Sequence, residues 1–128
     1  MGWFEYGPLD GDDGMDLQDF IFDILNIRYD DFGKLIQDDN TIRVLLENNQ
    51  DLLYESLKNY NYNEHLNPGF IQSVYIQALA HIMCEYNAKI NDRGKNTFIK
   101  FIDSDKWSLE NNERKIAMNN LKNRVLSN

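Results

Sequence analysis

The chain has one cysteine, two prolines and two histidines in 128 residues. No apolar run approaches the roughly 20 residues that a membrane-spanning helix needs. With Cys84 alone, neither an intramolecular disulfide nor a cysteine-based zinc cage can form, which fits a reducing cytoplasm. The N-terminus carries no basic leader followed by an apolar stretch, so a cytoplasmic protein without membrane attachment is expected. Gly2 stands where myristoylation occurs, but Tyr6 occupies the position at which the acceptor motif wants Ser or Thr. There is no glycine-rich phosphate cradle, nucleophile elbow or H-E-x-x-H motif, and Gly33-Lys34 and Gly94-Lys95 lack the rest of a P-loop.

Basic residues are scarce over most of the chain. Residues 1–88 hold 16 acidic and 4 basic side chains, and residues 89–128 hold 5 and 9, so the two parts carry −12 and +4. The net charge of −8 argues against direct nucleic-acid binding, which needs clustered Lys and Arg. The uneven spread suits a protein partner with a basic surface, or a homo-oligomer that pairs acidic N-terminal and basic C-terminal halves. The 17 asparagines read as a compositional bias with no evident chemistry.

Apolar spacing is helical almost throughout. Leu17, Phe20, Ile21, Ile24 and Leu25 predict a helix over 14–26, with Asp13 as N-cap and Asp16 three residues on. A short helix is expected from Asp31 to Gln37, weakened by Gly33. Ile42, Leu45, Leu46, Leu53, Leu57 and Tyr60 keep a 3.6-residue period over 40–60, and the polar run Glu47-Asn48-Asn49-Gln50 is expected to split it in two. Asn67-Pro68 is a helix start, because proline loses nothing at the first helical position. The segment that follows is apolar on most sides, with Val74, Tyr75, Ala78 and Ile82 on one face and Ile76, Leu79, Ala80 and Met83 on another. Such a helix belongs in the centre of a bundle, here at about 68–90 and ended by Asn91-Asp92-Arg93-Gly94. A short helix at 97–102 and a last one at 105–126, with Trp107, Ile116, Leu121 and Val125 inward, complete the expected fold. It is all-α: one domain over 1–128, five or six helices, with residues 1–13 an aromatic and acidic arm.

Two places could carry chemistry. Asp10, Asp12, Asp13 and Asp16 crowd the first helix, but no register gives a calcium loop: with Gly14 at loop position 6, Leu9 and Phe20 fall where ligands are required. Aspartates there also suit the free N–H groups and dipole of a helix start. On the central helix, His81, Cys84 and Glu85 sit at i, i+3 and i+4. Specific thiol chemistry would need an exposed, acidified cysteine, and an apolar helix more often buries it as a small core residue. Neither cofactor nor metal is expected on these grounds. The alternative is a small metal-dependent protein or enzyme using the Asp10–Asp16 cluster or His81 with Cys84.

The stronger pattern is a surface. Asp12, Asp16, Asp19 and Asp23, spaced by 4, 3 and 4, stack on one helix face opposite the apolar stripe. Like charges at i,i+4 weaken a helix, so a face of one sign has a cost that mixed charges avoid. Ahead of it, Trp3 and Tyr6 are aromatics of the kind that anchor interfaces. Trp3, Tyr6, Asp12, Asp13, Asp16, Asp19 and Asp23 are therefore the candidate partner-binding residues of a non-enzymatic protein.

The opening MGWFEYGPLDGDDGMD resembles the start of a family of small bacterial and phage proteins that begin Met-Gly-x-Trp-Gly-x-Gly and continue into an Asp-Asp-x-Ala-x-Asp stretch. Gly2, Gly7, Asp12 or Asp13, and Asp16 match; Trp3 is displaced by one position, and Gly14-Met15 replaces the small residue. The likeness covers about 20 residues and implies no activity, cofactor or site residue. The acidic, Asn-rich composition also looks like that of accessory phage proteins, among which inhibitors of host enzymes and defences are common, DNA mimics included.

Overall fold

A computed structural model describes residues 11–59, 68–105 and 107–128, and the side chains among them except those of 11–17, 68–71 and 107. Five α-helices lie in these residues: α1 (Gly11–Ile24), α2 (Asp39–Lys58), α3 (Pro68–Glu85), α4 (Asp92–Asp103) and α5 (Asn112–Ser127), with a 3₁₀ turn at Trp107–Leu109 before α5. None of the described helices is long and apolar enough to cross a membrane.

The centre is α3, as the sequence predicts. It touches each of the other four helices, and every residue from Val74 to Cys84 is buried. Against it pack Ile21, Phe22 and Leu25 from α1 and its end, Ile42, Leu46, Leu53 and Leu57 of α2, Phe98 and Ile102 of α4, and Met118, Leu121 and Val125 of α5. The all-round apolar pattern of α3 thus follows from burial on every side rather than on one.

Several local expectations are corrected, among them the bounds of the last two helices, which run over Asp92–Asp103 and Asn112–Ser127 rather than 97–102 and 105–126. The first helix starts at Gly11, so Asp13 lies inside it and is not its N-cap. Residues 31–37 form no helix: Tyr29 bridges Leu35 in an antiparallel pairing, and Asp30 and Lys34 close a three-residue turn. Gly33, at φ +77°, takes the left-handed position that such a turn requires. The run Glu47–Gln50 does not break α2. Gln50 is buried because its amide spans to the segment after α3, donating to the Lys89 carbonyl and accepting from the Asn91 N–H, while Glu47 accepts from the Lys89 N–H. The inward face of α5 consists of Arg114, Ala117, Met118, Leu121 and Val125, and Ile116 is turned to solvent.

The asparagines turn out to have positions. α1 and α3 end alike, with Asn26 (φ 61°) and Asn87 (φ 55°) left-handed and the next residue donating back to Phe22 and Met83, the pattern of a Schellman cap. Thus α3 stops at Glu85, earlier than the expected 90, and Asn91 opens α4 by accepting from the Gly94 N–H. Asn111 caps α5 in the same way, and Asp38 caps α2 through Thr41. The C-terminal Asn128 side chain ties the α3–α4 connection, accepting from Ile90 N–H and donating to the Ala88 carbonyl.

Candidate functional site

The acidic surface begins on α1. Ile21, Phe22 and Leu25 turn inward, which leaves Asp19 and Asp23 exposed on the opposite side. Asp23 holds Arg28 at 2.8 Å. Asp12, Asp13 and Asp16 belong to the same helix, though their side chains lie outside the described ones, as do Trp3, Tyr6 and Asp10 altogether. The carboxylates continue beyond the helix. Asp30, Asp31, Asp38 and Asp39 are all exposed in the connection to α2 and its first residue. Two of them are shaped by backbone: Asp30 accepts from the N–H groups of Phe32 and Lys34, and Asp38 is held below the usual carboxylate range by its hydrogen bonds from Thr41. Residues 19–39 thus present six exposed aspartates against Arg28 and Lys34. Between those charges the turn exposes Phe32 (90%) and Ile36 (64%).

On α3, the structure brings His81 to Glu85 rather than building a thiol site. His81 Nε2 lies 3.8 Å from Glu85 Oε1, and the same oxygen takes Arg124 Nη1 of α5 at 3.0 Å. Burial lowers the His81 pKa, Glu85 opposes that and Arg124 adds to it, so the ring is neutral at pH 7. Crevices of about 380 and 420 Å³ open on the two sides of the His81–Glu85 pair, one toward Phe22 and Tyr86, the other toward Asn120 and Arg124. Cys84 is buried, and burial pushes its thiol up despite the pull of Arg124. A protonated, buried thiol is a poor nucleophile and a poor metal ligand. Among the described residues, no group of three or more His, Cys, Asp and Glu side chains could hold a metal ion.

The most tightly built polar cluster was not apparent in the sequence. Arg114 of α5 is completely buried, and Asp105, just past α4, is nearly so. The Arg114 guanidinium donates to both Asp105 oxygens at 3.3 Å and also to the Gln77 side-chain oxygen of α3. Gln77 Nε2 in turn donates to Asp105 Oδ1 and to the Phe101 carbonyl, both at 3.1 Å, and Ser108 donates its N–H (3.0 Å) and hydroxyl to Asp105 Oδ2. Burial works against the Asp105 charge, but the hydrogen bonds from Arg114, Ser108 and Gln77 outweigh it and hold the carboxyl below its usual range. With its polar groups turned on one another and away from solvent, this cluster joins three helices. The one sequence signal for it is that Arg114 continues the inward stripe of Ala117, Met118 and Leu121 by one turn.

A second close approach lies between α2 and α4. The Tyr54 ring meets Phe98 edge-on at 5.6 Å and covers Gly94, while Arg93 lies over its face at 5.6 Å and pairs with Glu55 and Asp51. No family model, curated protein or solved structure matches this chain.

Proposed function

We propose that this chain is a non-enzymatic protein-interaction module that binds a basic protein surface through its acidic N-terminal part, in the manner of an inhibitor or adaptor. The observation that carries the reading is the row of six exposed aspartates at 19–39, which continues the charge of Asp12, Asp13 and Asp16 and meets only two basic residues. A field of one sign raises the encounter rate with an oppositely charged partner and makes binding salt-dependent. The burial of Cys84, which pushes its thiol pKa up, favours the same reading over thiol chemistry. Trp3 and Tyr6, which precede these aspartates in the sequence, are the proposed apolar anchors.

The test is capture of partners from cells of the native source at rising salt, with wild type and with Asp12, Asp16, Asp19 and Asp23 all replaced by Lys. Wild type should lose its partner as salt rises, and the reversed variant should capture none of it. Equal capture by both proteins, with the same salt dependence, overturns the reading. Where the partner's surface is a nucleic-acid groove, DNA should compete with this protein for it.

A further inference from the structure

Glu85 is the last residue of α3 and Arg124 lies in the last turn of α5, so their ion pair at 3.0 Å ties the two helix ends together. The oxygen that Arg124 holds, Glu85 Oε1, is also the one that faces His81, whose Nε2 stands 3.8 Å away. The imidazole and guanidinium nitrogens are therefore no more than about 6.8 Å apart, on either side of one acceptor.

A proton changes the balance between the two. Arg124 carries its charge at any working pH, whereas a histidine gains one on acidification. While the His81 ring is neutral, it makes little demand on Glu85. Once protonated it is a buried charge, and a buried charge is costly unless it is paired. Arg124 is 40% exposed, so water can solvate its guanidinium when Glu85 leaves it. That difference decides which partner keeps the carboxylate. Glu85 is itself half-exposed and stands between the two crevices, and it has only about 1 Å to move to reach hydrogen-bond distance of His81. The other titratable groups that face His81 across those crevices are Asp39, the first residue of α2, and Tyr86 just past α3. Gln18 of α1 and Asn120 of α5 face it as neutral groups.

We infer that His81, Glu85 and Arg124 form a pH-sensitive latch between α3 and α5: a proton on His81 draws Glu85 to the imidazole and releases Arg124, loosening the last turn of α5. Both crevices border the latch, so the ring is within reach of solvent protons. The released Arg124 adds an unpaired positive charge to a chain end that is already basic. Because burial opposes protonation, the latch opens below the ordinary histidine value of 6.5 and is closed at pH 7.

Nuclear magnetic resonance on purified protein at low salt, from pH 7.5 to 5, tests the latch. The Arg124 Nε signal should shift with the same midpoint as the His81 ring. Amide exchange of Val125, Leu126 and Ser127, corrected for its intrinsic pH dependence, should quicken through that midpoint. Both Glu85 and Arg124 are exposed enough to replace without emptying the core. Arg124→Gln should raise the His81 midpoint by about 0.4 pH unit or more, the water-dielectric effect of a unit charge at that separation. Glu85→Gln should lower it by about 0.8 unit on the same reckoning, and should leave the end of α5 exchanging fast at both ends of the pH range. An Arg124 signal indifferent to the His81 titration overturns the proposal, as does a His81 midpoint unmoved by Arg124→Gln. So does a response that Asp39→Asn abolishes and Glu85→Gln does not. None of these results depends on a basic partner, so this inference and the acidic-surface reading fail separately.

Discussion

Replacing Asp105 with alanine removes the acceptor for Arg114 Nε and Nη2, Gln77 Nε2, and the N–H and hydroxyl of Ser108. The guanidinium of a fully buried arginine then keeps only part of its hydrogen bonding and loses its counter-charge. Breaking a buried pair by removing one partner typically costs about 3–5 kcal/mol. For a chain of this size the unfolding entropy is roughly 0.27 kcal/mol/K, so Tm should fall by about 11–19 °C. Urea unfolding followed by circular dichroism should give a lower midpoint with an unchanged slope, the sign of lost stability rather than a changed unfolded state. The double variant Asp105→Leu with Arg114→Met should recover most of the loss, because it leaves no buried charge behind. There is also a pH signature. The Asp105 carboxyl is held below its ordinary value of 3.8, so its contribution is complete above about pH 4 and is lost as pH falls through the folded pKa. Below pH 4 the alanine variant should therefore lose stability less steeply than wild type. A cost under about 1 kcal/mol for Asp105→Ala would refute the account of this cluster as a buried, mutually dependent unit.

Gly94→Ala should destabilise by about 1–3 kcal/mol, because a Cβ there would press on the Tyr54 hydroxyl and come within 2.7 Å of Ile90 Cγ2. The same substitution in a Tyr54→Phe background should cost less, and an equal cost by urea unfolding would place the strain elsewhere. His81 is harder to protonate in the fold than in the unfolded chain, where its pKa is near 6.5. The unfolded state therefore binds more protons below that value, and the His81 contribution is complete above about pH 6.5 and declines as pH falls. A His81→Leu variant should flatten the loss of stability between pH 7.5 and 5.5, and an unchanged slope would show that Glu85 compensates for the buried ring.

The reason much of this fold is legible in sequence is that helices announce themselves locally. The 3.6-residue period, the proline at the start of α3 and the apolarity of α3 on every side depend on neighbours within a few turns, and they predict an all-α bundle of five or six helices and its centre. Local polarity misled where its partner was distant. Glu47 and Gln50 look like a helix break until the Lys89–Asn91 segment is laid across them, and Ile116 looks like core until Arg114 is turned inward beside it. The Asp31–Gln37 stretch was misjudged because one left-handed glycine and an Asp30 side chain settle it, not periodicity. Of the expected acidic face, Asp19 and Asp23 are exposed on α1, and exposed aspartates continue into the turn that follows.

What the amino-acid order determined by itself was therefore the helical class, the central helix and the separation of charge. Tertiary structure alone decided which polar residues are buried. Burying Arg114, Gln77 or Gln50 is unfavourable unless a partner arrives from elsewhere in the chain, and those partners come from 9 to 41 residues away. It decided the state of Cys84 and His81 for the same reason, since desolvation by packed neighbours sets their protonation. And it placed Phe32 in solvent at the tip of the turn that Asp30 and Gly33 shape.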